Sequence, residues 1–329
     1  MPDPSAFRLT QTVRDGLPAL IVHDVGDLSP GGFNAGLTFE SGQCFRWRPA
    51  PVSGRPDRCA GVAGGRRAAV SSLRGGRDLE IENARAEDFA AFWHHYLDLG
   101  TDYGPVVERV RTDDYMRQAL SFASGARLLR QDFAETLLSY ILSARNSIPR
   151  VMSLVEALSE RFGASLPSPL PDDEGRPVFD FPAPDAIASG LCPDPGRDCG
   201  FGEGIPGGRC GRAFGGYRCP YLAQSARMLS TGSFRPDIDR LAHLPAEEAR
   251  AVLKALPGVG DKIADCTLLY AGVRTDVCPV DTWVARVVRS VWLGPRAGVR
   301  EIMAFASERF GPYAGYAQFW FFIYARKSR

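Results

Sequence analysis

The chain has 329 residues, a length that exceeds one ordinary hydrophobic core and indicates two or three domains. Hydrophobic residues make up 45% and charged residues 23%, which is typical of a globular protein and excludes a disordered or collagen-like chain. The 39 basic and 38 acidic residues give a formal net charge of +1. This balance excludes a strongly basic coat for nucleic acid, although it permits a local basic groove.

Signals for a membrane or for secretion are not found in the sequence. No run approaches the ~18 apolar residues of a membrane-spanning helix, and the first residues lack the basic and apolar regions of a signal peptide. The eight cysteines are too few for a disulfide-dense secreted scaffold. We therefore expect no membrane partner and a reducing compartment, which is the cytoplasm if the source is prokaryotic and the nucleus if it is eukaryotic. We also expect a monomer.

Residues 1–124 show the short apolar runs and glycine turns that are typical of β-strands. ALIV at 19–22 predicts one strand. AAVSSL at 68–73 and LEIEN at 79–83 predict a hairpin across a glycine turn. A helix is expected over 86–99, so this part of the chain is predicted to be a strand-rich N-terminal domain.

Residues 125–329 carry apolar side chains at helical spacing, for example Phe133, Leu137 and Ile141. A Gly- and Cys-rich insertion at about 190–219 interrupts them. Further helices are predicted at about 221–229, 246–256, 260–271, 282–291, 299–309 and 313–326. The expected fold class is α+β, with an antiparallel-sheet N-terminal domain followed by an all-helical domain.

The segment LPGVG joins two predicted helices through Gly258, Val259 and Gly260. The glycines permit a tight turn with positive φ, and the first amides of the next helix are unpaired and point at a positive dipole end. A phosphate can approach such amides closely, which is how a hairpin can bind nucleic-acid backbone without reading sequence. The same spacing is also a common connection between helices, so it leaves both interpretations open.

Lys262, one of only three lysines in the chain, follows this turn and shares a helix face with Cys266. The positive end of the helix and burial both disfavour a charged ammonium there, and a neutral lysine amine is a nucleophile that forms Schiff bases. A solvated surface lysine is the alternative. Asp281 is at the N-cap position of a later helix, where it either caps the helix or lies near Lys262 and acts on a reacting sugar.

Five segments together resemble the helix–hairpin–helix DNA glycosylases, and among them the 8-oxoguanine DNA glycosylase/AP lyase family. They are LPGVGDKIADC with the following PVD, SGQCFRW (41–47), LSYILSARNSIPRVMSLVEAL (138–158), GGYRCPYL (215–222) and FGPYAGYAQFWFF (310–322). The likeness covers nearly the whole chain in the right order. No cysteine follows Cys278, so the C-terminal four-cysteine cluster of the endonuclease III and adenine glycosylase branches is missing.

The resemblance implies a bifunctional DNA N-glycosylase and AP lyase of base-excision repair, with a helix–hairpin–helix catalytic domain and no cofactor required for catalysis. Its partner is double-stranded DNA that contains oxidised guanine opposite cytosine, and the damaged base is flipped into a pocket. Lys262 would attack C1′ and form a Schiff base, Asp281 would stabilise charge on the sugar, and β-elimination would nick the strand. The alternatives are a monofunctional alkylbase glycosylase, which uses Asp and water, and a non-catalytic damaged-DNA-binding protein.

The resemblance also assigns four residues to the base pocket. The backbone carbonyl of Gly42 would accept a hydrogen bond from N7–H, a proton that 8-oxoguanine has and guanine lacks. Cys266 and Phe322 would sandwich the base, and Gln318 would contact its Watson–Crick edge. Without the family, core packing is the better interpretation of Phe322, and a small buried hydrophobe is the better interpretation of Cys266.

On the opposite strand, Arg150 and Arg218 match arginines that hold the estranged cytosine, and Tyr217 matches the wedge beside the lesion; solvated arginines are the alternative. The chain departs from the family at two positions. Arg145 stands where the family commonly has Asn, so Arg145 or the neighbouring Asn146 would fill the vacated stack. Trp283 stands where the family commonly has a His that contacts a DNA phosphate.

The insertion contains half of the chain's cysteines, namely Cys192, Cys199, Cys210 and Cys219. Its sequence is too poor in apolar residues to order itself by burial, and four thiolates on zinc would supply the missing free energy. The spacing lacks the close pairs of most zinc sites, and the family resemblance gives no support for a metal. A structural zinc is therefore one hypothesis, and a flexible insertion with free or packed thiols is the other.

Overall fold

The computed structural model describes residues 3–167, 170–191 and 216–328. Its N-terminal part is one antiparallel sheet in the order β1-β2-β6-β5-β4-β3. The strands are β1 Leu9–Arg14, β2 Leu17–Val22, β3 Trp47–Pro49, β4 Cys59–Ala63, β5 Arg66–Leu73 and β6 Asp78–Glu82. The predicted hairpin is confirmed as β5 and β6, which pair in antiparallel register from Ala69↔Glu82 to Leu73↔Asp78.

Helices make up most of the remainder. They are α1 Ala35–Phe39, α2 Ala86–Asp88, α3 His94–Tyr96, α4 Tyr103–Val110, α5 Asp114–Phe122, α6 Phe133–Leu142, α7 Ile148–Phe162, α8 Pro184–Gly190, α9 Cys219–Ser230, α10 Ile238–His243, α11 Ala246–Leu253, α12 Asp261–Tyr270, α13 Thr282–Val288, α14 Val299–Phe310 and α15 Ala314–Lys327. Five-residue π-helical turns join α2 to α3 and follow α13. The predicted fold class, an antiparallel sheet followed by a mostly helical region, is confirmed.

The structure adds elements that the sequence pattern did not predict. Two short strands, β7 Ser165–Leu166 and β8 Val178–Phe179, pair on either side of residues 167–177. The sequence did not predict them, because two-residue strands leave no periodicity to detect. Helices α4 and α5 are also additional, and their apolar residues pack in the helical core with α6, α7 and α15. The division at residue 124 stays a prediction, while the packing joins residues 103–123 to the helical core.

A buried polar junction connects the sheet to the helical core. Gln43, which is 1% exposed, lies between α1 and β3. Its Nε2 donates to the carbonyls of Thr38 at 2.8 Å and Arg127 at 2.9 Å, and its Oε1 accepts from the Leu129 amide at 2.8 Å. The Gln131 side chain donates to the backbone carbonyl of Gln43 at 2.9 Å. These bonds fix the neighbouring Gly42 against the helices.

Within the part of the chain that the structure describes, no helix has both the length and the apolar character that crossing a membrane would need.

Replacing Gln43 by Leu should lower the free energy of unfolding by about 3 kcal/mol, because the Arg127 carbonyl and the Leu129 amide would stay buried without this partner. Chemical denaturation monitored by circular dichroism measures the change. Gln118→Leu is the matched control, since Gln118 is exposed and accepts one bond from Tyr324. An equal effect of both substitutions would contradict the role of the junction.

Candidate active site and DNA interface

The predicted helix–hairpin–helix segment consists of α11, α12 and the turn between them. Gly258 has φ +81°, and a Cβ at this position would lie 2.8 Å from Cβ of Tyr221, so only glycine fits. Val259 is buried and anchors the turn, and its amide donates to the Leu256 carbonyl at 3.2 Å. Gly260 is the exposed N-cap of α12 and has open space around it. The turn therefore presents backbone at the positive end of a helix, as a phosphate site requires.

A buried ion pair holds the two hairpin helices together. Arg250 on α11 and Asp265 on α12 are 6% and 1% exposed, and the Arg250 Nε donates to Asp265 Oδ1 at 2.6 Å. Burial raises the pKa of Asp265 to about 6, and the charge of Arg250 opposes that rise. Removing one partner would leave an uncompensated charge, so the pair holds the first turn of α12 in a defined position.

Lys262 is half-buried in the first turn of α12 and contacts the end of α6. Its Nζ donates to Ser143 Oγ at 3.1 Å and lies 4.8 Å from the centroid of the Tyr140 ring. Ser143 Oγ in turn donates to the Tyr140 carbonyl at 2.7 Å. The surface-lysine alternative does not describe this environment. Sequence analysis missed Tyr140 and Ser143, because each reads as an ordinary residue of an apolar helix.

Asp281 is the N-cap of α13, and its Oδ1 accepts a hydrogen bond from the Val284 amide at 2.8 Å. The carboxylate lines the same cavity as Lys262. The two interpretations of Asp281 are therefore compatible, because one carboxylate oxygen caps the helix while the side chain remains at the wall of the cavity.

A cavity of about 90 Å³ brings together the residues that the sequence assigned to catalysis and to the base pocket. Its lining includes Gly42, Lys262, Cys266, Asp281, Gln318 and Phe322. These six residues come from the loop before β3, from α12, from the N-terminus of α13 and from α15. Their assembly therefore depends on contacts between distant parts of the chain.

The cavity carries polar groups that are ready for a ligand. Gln318 is 2% exposed, and its Oε1 is buried without a hydrogen-bond partner among the described residues. The Gly42 carbonyl accepts from the Tyr140 hydroxyl at 3.3 Å, which leaves a second lone pair. Burial raises the pKa of Cys266 to about 12 although Lys262 opposes the rise, so Cys266 supplies an uncharged, compact wall. This is compatible with both interpretations of Cys266 given by the sequence.

A groove of about 1350 Å³ opens onto this cavity and shares Lys262, Asp281 and Phe322 with it. It is lined by Lys262 and by four arginines, namely Arg145, Arg286, Arg289 and Arg326. Asp281 is the single carboxylate among the described lining residues. The groove is therefore positive although the net charge of the chain is only +1, as the composition permitted. Trp283 also lines the groove, with the guanidinium of Arg286 5.0 Å from its ring centroid.

The remaining DNA-binding candidates meet at the loop between α6 and α7. The Ala144 carbonyl accepts from Arg218 Nε at 2.6 Å and from the Tyr217 hydroxyl at 3.5 Å. The Arg218 guanidinium lies 4.4 Å from the centroid of the Tyr217 ring, and Tyr217 is 53% exposed. Arg150 is exposed on the first turn of α7. The structure thus positions Tyr217 and Arg218 through the loop itself.

Arg145 and Asn146 adopt different arrangements in this loop. Arg145 is exposed with φ +52°, a conformation that disfavours a residue with a long side chain. The Asn146 side chain donates to the Leu142 carbonyl at 2.8 Å and lines the cavity. Backbone strain at the edge of the groove is typical of functional positions.

The zinc hypothesis stays a prediction, because Cys192, Cys199 and Cys210 lie outside the described residues. Cys219 is 1% exposed at the start of α9 and belongs to the helical core. Within residues 3–167, 170–191 and 216–328, no group of three or more His, Cys, Asp or Glu residues is arranged to hold a metal ion.

Comparisons with known proteins agree with this geometry. Residues 27–137 match the family model of the 8-oxoguanine DNA glycosylase N-terminal domain. A probable N-glycosylase/DNA lyase of Methanothermobacter thermautotrophicus is 31% identical over 227 residues, which are 66% of this chain and 68% of that protein. The chain belongs to the 8-oxoguanine DNA glycosylase/AP lyase family. The chain is thus a DNA glycosylase/lyase of base-excision repair. This finding argues against both alternatives from the sequence, a monofunctional alkylbase glycosylase and a non-catalytic damaged-DNA-binding protein.

Two solved structures of this glycosylase/lyase family superpose on nearly the whole chain. MBOgg1 in complex with a low-affinity DNA ligand is 32% identical, with a TM-score of 0.79 over 98% of this chain and 99% of that one. The 8-oxoguanine glycosylase/lyase of Clostridium acetobutylicum, in complex with double-stranded DNA that contains cytosine opposite 8-oxoguanine, is 28% identical. Its TM-score is 0.81, and 98% of each chain is covered.

Asp281→Asn should retain the helix cap of α13 and the fold, because Asn can also cap a helix. It should reduce the rate of single-turnover excision by about 10² or more, because Asn cannot supply negative charge to the transition state. Rapid-quench measurement of base release gives the rate. Asp132→Asn is the control, since Asp132 caps α6 in the same way outside the cavity. Near-normal excision by Asp281→Asn would leave Asp281 as a cap only.

Proposed function

We propose that this glycosylase/lyase excises 8-oxoguanine opposite cytosine and nicks the strand through a Schiff base on Lys262. One observation carries the proposal: a single cavity holds the Lys262 amine, the Asp281 carboxylate and the unpaired amide oxygen of Gln318. The first two groups suit covalent chemistry on a sugar, and the third suits recognition of a base.

Base recognition would use acceptors that are already in position. Gln318 Oε1 is buried without a partner among the described residues, so a base that donates from its Watson–Crick edge would satisfy it. The free lone pair of the Gly42 carbonyl would accept from N7–H of 8-oxoguanine. Guanine lacks that proton, and an unpaired acceptor facing it would cost about 1–3 kcal/mol. The small cavity would have to widen for a purine to enter.

The chemistry would proceed by covalent catalysis. The amine of Lys262 attacks C1′, and the glycosidic bond breaks with its electron pair leaving on the base, which takes up the proton that the attacking nitrogen loses. Asp281 stabilises the positive charge that develops on the sugar. The nitrogen lone pair then expels O4′, so that the C1′–O4′ bond breaks, the sugar ring opens, O4′ takes up a proton and an imine forms at C1′. Loss of a C2′ proton drives β-elimination, in which the C3′–O3′ bond breaks and the 3′ phosphate leaves. These steps use only protein groups and water.

Binding of DNA would rest on the positive groove and on the exposed hairpin turn. The groove cations attract the phosphate backbone, and the amides at Gly258 and Gly260 offer it hydrogen-bond donors at the positive end of α12. Of the two candidates for filling the vacated stack, we favour Arg145, because the Asn146 side chain is bonded to the Leu142 carbonyl. Arg145 is exposed and lines the groove.

Lys262→Gln should abolish the protein–DNA adduct that borohydride traps during reaction with 8-oxoguanine DNA, because glutamine cannot form an imine. Denaturing gel electrophoresis measures the adduct. Lys254→Gln is the control, since Lys254 is an exposed lysine of the same hairpin that pairs with Asp261 at 2.6 Å. Trapping of Lys262→Gln at the wild-type level would show that another amine is the nucleophile.

Arg150→Ala combined with Arg218→Ala should lower the preference for cytosine over adenine opposite the lesion by roughly tenfold or more, since each good arginine–base pair contributes about 1–3 kcal/mol of discrimination. Single-turnover excision on the two duplexes gives the ratio. Arg227→Ala on α9, an exposed arginine outside the groove, controls for loss of charge. An unchanged ratio in the double variant would mean that these arginines do not contact the opposite base.

A further inference from the structure

Arg326 has no part in the chemistry described above, yet it lies where the groove meets the cavity. It follows Phe322 by one turn on α15, is half-buried and lines the groove. Its Cζ is 5.2 Å from the centroid of the Phe322 ring, and its Nη1 donates to the Ser41 carbonyl at 2.9 Å. A Cβ on Gly42 would lie 3.0 Å from the same Nη1. The guanidinium therefore spans from the C-terminal helix to the loop that carries Gly42.

Among the described residues, no carboxylate contacts the guanidinium of Arg326. Its partner, the Ser41 carbonyl, is neutral. Asp281 is near enough to influence Arg326, but its Oδ1 caps α13 and no ion pair joins the two described residues. Burial lowers the pKa of the guanidinium, which nevertheless stays protonated. A half-buried cation in this state favours an anionic ligand, and a guanidinium matches the geometry of phosphate.

The position of the extruded nucleotide indicates which anion would reach Arg326. If the base occupies the cavity and C1′ lies beside Lys262, the phosphates on either side must remain in the groove. Lys262 is then committed to the sugar. Arg326 lines the groove and contacts the ring of Phe322, which lines both the groove and the cavity.

We propose that Arg326 binds a phosphate adjacent to the extruded nucleotide and so positions C1′ for attack by Lys262. This inference rests on the proposed function, because it requires a base in the cavity. Without DNA, the Ser41 carbonyl holds the guanidinium at the entrance. Arg326 acts through the position of the nucleotide, so it is a positioning residue.

The test measures binding of 8-oxoguanine duplexes in which the phosphate 5′ or 3′ to the lesion is replaced by an uncharged methylphosphonate. All proteins carry Lys262→Gln, so that the substrate stays intact. With Arg326 present, one of the two replacements should weaken binding roughly ten- to a hundredfold. Arg326→Met should weaken binding of the native duplex by the same factor, and the effective methylphosphonate replacement should then cause this variant no further loss of affinity. The slope of the logarithm of the binding constant against the logarithm of the salt concentration should fall in magnitude by about 1.

Lys327→Met is the matched control, because Lys327 is the next residue, pairs with Glu40 at 3.1 Å and does not line the groove. It should respond to methylphosphonate as the protein with Arg326 does. The proposal fails if Arg326→Met binds the native duplex as tightly as the protein with Arg326. It also fails if, at both phosphate positions, the loss of affinity caused by Arg326→Met multiplies with the loss caused by methylphosphonate. A purely structural role predicts the second outcome, since losing the Ser41 contact would weaken every duplex alike.

Excision by protein that retains Lys262 tests the proposed function separately. Absence of 8-oxoguanine release would overturn the proposed substrate, whereas the binding comparison would still decide whether Arg326 contacts a phosphate. Normal release together with multiplicative binding effects would overturn only the role of Arg326.

Discussion

The active site depends on one constraint, which is that the loop carrying Gly42 must be held rigidly against the helical core. The cavity takes Gly42 from the N-terminal region and Lys262 from the hairpin, more than two hundred residues later in the chain. Gln43 fixes the loop through buried hydrogen bonds, and the Tyr140 hydroxyl bonds to the carbonyls of both Gly42 and Gln43. Because the Tyr140 ring also lies beneath Lys262, one side chain connects the Gly42 carbonyl to the Lys262 amine. Under the proposed mechanism, a displacement of this loop would change base recognition and chemistry together.

Several groups near the cavity are arranged at a cost to the stability of the DNA-free protein. Gln318 keeps a buried oxygen that bonds to no described residue, and Arg145 holds a backbone conformation that suits glycine or asparagine better. Each feature costs of the order of 1 kcal/mol or more. Buried hydrogen bonds hold the surrounding structure in place, among them those of the Gln43 side-chain amide and the bond from Arg250 Nε to Asp265 Oδ1.

The sequence predicted the parts of the molecule that depend on local patterns. Apolar spacing located α6 and α7, and the glycine turn located the β5–β6 hairpin. Cavity residues such as Cys266 and Phe322 could not be assigned from local pattern, because a cysteine and a phenylalanine on apolar helices are equally suited to core packing. Only the family resemblance separated those interpretations. Ser143 and Arg326 were missed altogether, since the relevant contacts, with Lys262 and with Ser41, join residues that are far apart in the chain.

The departures from the family pattern fall on residues that line the positive groove. Trp283 stands where the family commonly has a histidine, while Arg145 and Arg326 place positive charge in the same groove. Attraction between a cation and a phosphate acts over several ångströms and depends weakly on orientation, so a cation can move from one wall to another while the groove stays positive. Nucleophilic attack does not tolerate such a shift, because an amine displaced by about 1 Å loses much of its rate. The proposed chemistry therefore requires Lys262 and Asp281 in fixed positions, while the contacts to the DNA backbone are free to be redistributed.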